Sequence, residues 1–285
     1  MITQYDIPEK YAGMSMQEAM EKFRQNAGMK SIDEMSTKQK IDVAIDVLKA
    51  SPILGTITGS CLLPTFDPDG WGTTPDVDVF VFSEYALVHA VSYAMYQLGM
   101  KPGKTTQRSR QQEEWKLHRL FEVGLNKKIG ITTYTFEYAG VMVNITYKMR
   151  KDNGKWVPLM TTPDVLSSFD MSIVMQGLDI QKHLHYDMRI GDPMVAIPNP
   201  VRNQDCVMWT VAKWVRQFDR VVKYYNRGFD TRPMAKFYIE MIDDCLKTGC
   251  LFDSDESHEM FDTYSEDFKA KREQIATWLE AHKED

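Results

Sequence analysis

The sequence is poor in cysteine and has no long apolar run. Four cysteines (Cys61, Cys206, Cys245 and Cys250) among 285 residues are too sparse for a disulfide framework. No C-x-x-C pair occurs, which argues against a zinc ribbon. A membrane-spanning helix needs about 18 or more consecutive apolar residues, and none are present. The opening MITQYDIPEKYAGMSMQEAM carries acids early and has no basic-then-apolar leader. These absences predict an intracellular, reduced, cytoplasmic chain with no membrane partner. G-x-x-x-x-G-K-[ST] and G-x-G-x-x-G are both missing, so P-loop and Rossmann readings have no support. Internal repeats and low-complexity tracts are missing too.

What is present is an ordinary globular composition, 43% apolar and 26% charged. A chain of this length buries roughly three quarters of its unfolded surface, enough to fold without a metal or disulfide staple. Net charge is −6, unevenly spread. Residues 101–155 hold twelve basic against five acidic residues, a local +7. Residues 251–285 hold four against eleven, a local −7. A basic middle suits an anionic substrate, although uneven surface charge alone also gives this pattern.

The first 50 residues read as helical. Ser15 with Glu18, and Ser36 with Gln39, have capping-box spacing. Ile41, Ala44, Ile45 and Leu48 then make one apolar face, and Ser51-Pro52 ends the helix. The period changes at Ile53 to Thr58, a short β-branched run followed by Gly59-Ser60. Residues 64–75 read as a loop. Val77, Val79 and Val81 then alternate with Asp76, Asp78 and Phe80, the pattern of a strand. Tyr85 to Leu98 predicts a helix stopped by Gly99. Residues 112–125, Ile129 to Tyr138 and Val141 to Met149 read as strands, the last two joined at Ala139-Gly140. Lys148 to Lys155 reads as a polar loop. Beyond 200 the pattern is helical, with a stripe from Val207 to Tyr225 and two further helices over 233–248 and 256–282. Lys213, Arg216, Arg220 and Lys223 lie off the stripe as a basic ridge. The fold class expected is α/β (α+β): a mixed sheet flanked by helices over residues 1–200, then a helical region over 201–285.

The sharpest local feature is Gly59-Ser60, a loop, then Asp76-Val77-Asp78. Residues two apart on a strand face the same way, about 7 Å apart along the chain. Paired carboxylates on a rigid strand suit Mg²⁺, which takes one or two carboxylates plus substrate phosphates. A Gly-Ser turn offers a backbone N–H and a hydroxyl to phosphate oxygens. Other groupings are weaker. Asp67-Pro-Asp69-Gly70 lacks the distal glutamate of an EF-hand. His183-x-His185-x-Asp187 has strand-like metal spacing but no clear further ligand, so a surface or hairpin role suits it better.

The stretch ITGSCLLPTF…TTPDVDVFVF resembles the signature of the polymerase-beta-like nucleotidyltransferase superfamily. There a Gly-Ser follows one strand and an Asp-x-Asp sits on the next. The resemblance covers roughly residues 37–175. TYKMRKD…VLSSFDMSIVM is similar to the stretch after the third catalytic strand in viral and poly(A)-polymerase-like members, and KYYNRGFD is similar to a segment after their catalytic domain. The resemblance implies that Asp76 and Asp78 hold Mg²⁺ or Mn²⁺, and that Gly59 and Ser60 bind the terminal phosphates of a nucleoside triphosphate. It implies charge neutralisation by basic residues of 101–155 or by the ridge, Lys213 and Arg216 included. The acceptor hydroxyl belongs to an RNA 3′ end, a protein or a small molecule. A virus-encoded chain acting in a host cytoplasm is in keeping with it. One departure stands out: the third carboxylate position reads Val143-Asn144-Ile145. An amide cannot act as a general base. Either Asp170 substitutes for it, or activity is weak or lost. Trp71, in the long spacer, either stacks on a base or packs.

Overall fold

Alternation decides the centre of the molecule. In the computed structural model, residues 1–71, 76–102, 131–152, 155–199, 211–248 and 255–283 are described, with backbone alone for 151, 152, 155, 156, 211–217, 245 and 255–264. Two compact units are formed, Met1–Ser168 with Val174–Met188, and Phe169–Ile173 with Arg189–Asp285. The division expected at residue 200 therefore runs through the second unit. The expected strand over 112–125 lies outside the described residues, as do Cys206, Cys250, Asn153-Gly154 and most of the basic stretch.

The first unit is a mixed sheet with helices. Its strands are β1 (Ile2–Gln4), β2 (Gly55–Thr58), β3 (Asp76–Val81), β4 (Lys101–Pro102), β5 (Ile131–Tyr138), β6 (Val141–Asp152), β7 (Lys155–Pro158), β8 (Gln176–Asp179) and β9 (Leu184–Asp187). The order is β1-β9-β8-β2-β3-β6-β5-β4, with β7 also paired to β6. β3 and β6 run parallel, and the other described pairs are antiparallel.

β3 reads D-V-D-V-F-V, and its burial alternates in step: every valine is buried, and Asp76, Asp78 and Phe80 are half-buried. Ile57, Val79 and Ile145 stand opposite one another across β2, β3 and β6, so the buried set forms one continuous apolar face. Three helices contribute to that core: α1 (Met16–Asn26), α2 (Thr37–Lys49) and α3 (Glu84–Tyr96). Both expected capping boxes form. Ser15 Oγ accepts from the Glu18 N–H, Ser36 Oγ accepts from the Gln39 N–H, and each partner's side chain accepts from the cap's own N–H. Each such cap is worth about 1 kcal/mol. The short α4 (Thr162–Ser167) packs near β8, where Thr162 donates to the buried Asp179 carboxylate at 3.0 Å.

Two readings of the sequence are corrected. The N-terminal region is not wholly helical, because β1 pairs with β9. Residues 148–155 are not a loop: β6 runs on to Asp152 and turns back as β7. A polar run does not exclude a strand, because peripheral strands carry lysine readily. Lys148 donates instead to the Ser168 hydroxyl, at 2.8 Å. β8 and β9 pair as a hairpin, one of the two roles expected for His183-x-His185-x-Asp187. Their hairpin takes up His183 at φ +54° in its turn and sets His185 and Asp187 on β9.

The second unit contains α5 (Val211–Tyr225), α6 (Arg232–Thr248) and α7 (Asp255–Ala281), close to the expected spans. Gly228, at φ +87°, closes α5. Phe229 N–H donates to the Tyr224 carbonyl and Gly228 N–H to that of Tyr225, the paired bonds of a Schellman motif. Buried Phe218 and half-buried Tyr225 each meet the ring of Trp278 edge to face in this unit. Among the described residues no helix is long and apolar enough to cross a membrane.

Candidate functional site

Strand pairing builds a polar row on the face opposite the valines. Thr58 of β2 stands opposite Asp78 of β3, and Asp78 opposite Asn144 of β6. Asn144 in turn stands opposite Thr135 of β5. Directly paired residues share a face, so these four side chains lie in line across four strands. Asp76 lies on the same face, two residues before Asp78.

The row is hydrogen-bonded from one end. Thr135 Oγ1 donates to Asn144 Oδ1 at 2.8 Å. With its oxygen so held, the amide turns its nitrogen to the carboxylates. Asn144 Nδ2 donates to Asp78 Oδ1 at 3.0 Å and to Asp76 Oδ2 at 3.3 Å. One neutral side chain thus bridges two anions. At the other end the Thr58 hydroxyl is fully buried and has no hydrogen-bond partner among the described residues.

Gly59 follows directly, at φ +97° and ψ −165°. No other residue type reaches this backbone region without strain. A Cβ built on Gly59 would lie 2.5 Å from Asp78 Oδ2, so the backbone presses against the carboxylate. Ser60 then opens a single 3₁₀ turn, Ser60–Leu62. Gln176 Nε2 fixes that turn to β8 by donating to the Leu62 carbonyl at 2.7 Å. Behind it Cys61 is buried, and its thiol is pushed well above the usual range, first by burial and then by the charges of Asp78 and Asp76.

Gly59, Ser60, Asp76, Asp78 and Asn144 are thus gathered in one place within the first unit. Asp170 belongs to the second unit. It is buried there and receives a charged hydrogen bond from Arg220 Nη2 at 3.1 Å. Lys213 and Arg216 lie on α5, in the second unit, and their side chains lie outside the described residues. Arg220 and Lys223 of the same ridge both approach the ring of Tyr224. Trp71 meets the ring of Phe66 edge to face, with centroids 5.4 Å apart.

Thr135 and Thr58 were missed at the sequence level. The signal for Thr135 was present. With Tyr138 and Val141 flanking the Ala139-Gly140 turn, counting outward places Thr135 against Asn144. Thr58 had no such signal, because nothing local fixes the register of β2 on β3.

Hard carboxylate oxygens are the donors that Mg²⁺ and Mn²⁺ prefer. Two carboxylates on one face, a glycine cradle beside them and a buried hydroxyl short of a partner fit one such cation with its phosphate ligands. Among the described residues no group of three or more His, Cys, Asp or Glu side chains is placed to hold a metal ion. Compared with family models, curated proteins and solved structures, the chain matches none.

Proposed function

We propose that this chain is a metal-dependent nucleotidyltransferase. The observation that carries the reading is the pairing of Asp76 and Asp78 on one strand face, with the Gly59 backbone packed on Asp78 and Asn144 beside both. A Mg²⁺ or Mn²⁺ ion held by the two carboxylates would withdraw charge from the phosphates of a nucleoside triphosphate. Gly59 and Ser60 would hold the β- and γ-phosphates. The acceptor hydroxyl, on an RNA 3′ end, a protein or a small molecule, attacks the α-phosphorus. The bond to the bridging oxygen breaks, pyrophosphate leaves and the hydroxyl proton passes to solvent or a base.

A second reading keeps the nucleotide and drops the turnover. It is favoured by Asn144, whose amide cannot take that proton. One experiment serves both. Binding of all four nucleoside triphosphates is measured with and without Mg²⁺ or Mn²⁺, and pyrophosphate release is read in the same samples. The Asp76→Ala/Asp78→Ala variant is the control. Metal-dependent binding with release, both lost in the variant, supports transfer. Binding without release, across an acceptor screen, supports the second reading. Absence of metal-dependent binding refutes both.

A further inference from the structure

The third position of the site holds an amide, and its orientation is set by a neighbour. Thr135 Oγ1 donates to Asn144 Oδ1, so the hydrogens of Nδ2 point at the carboxylates. A carboxylate here would bring a third negative charge and two more ligand oxygens. The amide brings no charge, and it presents donors where a cation would need acceptors.

Two consequences follow for charge. Asp76 and Asp78 are like charges on one strand face, and like charges held close repel. The Nδ2 group offsets that repulsion by bonding to both. The pair's total of −2 also balances a single divalent ion. A second ion, about 3.5–4 Å from the first in two-metal sites, would find no third carboxylate at this position and would meet the N–H hydrogens of Asn144.

We propose that Asn144, oriented by Thr135, limits this site to one divalent cation and holds Asp76 and Asp78 in place when that cation is absent. Asn144 is here a positioning residue. The proposal rests on the nucleotide-metal reading above, and its test separates the two.

The full-length chain is loaded with Mn²⁺ and a non-hydrolysable α,β-methylene nucleoside triphosphate. Bound Mn²⁺ is counted per chain, and the frozen complex is examined by electron paramagnetic resonance. The native chain is expected to hold one Mn²⁺ with an uncoupled six-line signal. Asn144→Asp is expected to hold two, with the signature of a spin-coupled pair. Two coupled ions in the native chain, or one in both proteins, overturn the proposal and leave the metal reading standing. No Mn²⁺ in either protein overturns both.

Asn144→Ala gives a second readout that does not depend on a crowded triad folding. Without the bridging amide the metal-free protein loses stability, and Mn²⁺ restores it. The rise in melting temperature on adding Mn²⁺ is therefore expected to be larger in Asn144→Ala than in the native chain. An equal or smaller rise overturns the bracing role.

Discussion

A single methyl group at Gly59 is expected to damage both the stability and the chemistry of the first unit. Two terms set the size. At φ +97° and ψ −165° an alanine occupies a region essentially restricted to glycine, at a cost of about 1–3 kcal/mol. Its Cβ would also sit 2.5 Å from Asp78 Oδ2 and 3.3 Å from Asp78 Cγ. The carboxylate cannot simply swing aside, because its other oxygen accepts from Asn144 and its strand is paired on both sides. Together the terms come to about 3 kcal/mol, and at roughly 2–4 °C per kcal/mol the melting temperature falls by roughly 6–12 °C. The control is Gly140→Ala, at φ +84° with nothing within 4 Å of the added carbon. It bears backbone strain alone, about 1–2 kcal/mol, and leaves metal-dependent nucleotide binding intact. Thermal melts by circular dichroism and nucleotide titrations on both variants make the comparison. The reasoning is refuted if the two melt alike, or if Gly59→Ala binds metal and nucleotide as the native chain does.

Other outcomes follow from the same geometry. Ala139 stands at φ +51° before Gly140; Ala139→Asn, giving the Asn-Gly preferred in such hairpins, is expected to raise stability by about 0.5–1 kcal/mol in urea unfolding. Ile145→Ala empties a fully buried position behind the site and is expected to cost about 2–5 kcal/mol by the same measurement. Asp170→Ala removes the buried partner of Arg220. Because that arginine is about two-fifths exposed, a loss of about 1–2 kcal/mol is expected rather than the larger figure for a fully buried pair. Arg232 and Arg272 hold the carboxyls of Asp230 and Asp243 below the usual carboxylate range, chiefly by hydrogen bonding. A carboxyl depressed in the folded state contributes stability above its unfolded pKa and loses it as pH falls through the folded value. Amide-exchange protection factors in the second unit, referred to the intrinsic rate at each pH, are therefore expected to fall below about pH 4, and Arg272→Ala to weaken that dependence.

How much of this was legible beforehand differs between elements for physical reasons. The capping boxes of α1 and α2 and the D-V-D-V-F-V alternation of β3 are local patterns, and local patterns survive folding when burial agrees with them. The same alternation set Asp76 and Asp78 on one face. β1, β8 and β9 are strands of three or four residues held by partners far away in sequence, so no local period announces them. Residues 148–152 are mostly polar and precede Asn153-Gly154, a pattern that a loop and a peripheral strand share, so only the pairing of β6 with β7 separates the two. The gathering of Gly59, Asp78 and Asn144 depends on register between distant strands. The order of the motifs suggested it; only the parallel pairing of β3 with β6 puts Asn144 against Asp78. The amide's direction was not legible at all, since it depends on the hydroxyl of Thr135.

The pairing of β1 with β9 has a consequence in time. Thr3 stands opposite His185, so one edge of the sheet joins segments far apart along the chain. At about 5–20 residues per second, roughly ten to forty seconds pass on a ribosome before β1 can meet its partner. Through that interval β2 and β3 can already pair with each other, since they are close in sequence. β2 must wait for β8 on its other side. The strand leading into Gly59 therefore has an open edge while the residues between Thr58 and Gly177 are made. A nascent chain stalled before residue 176 would carry both aspartates but leave that edge unpaired.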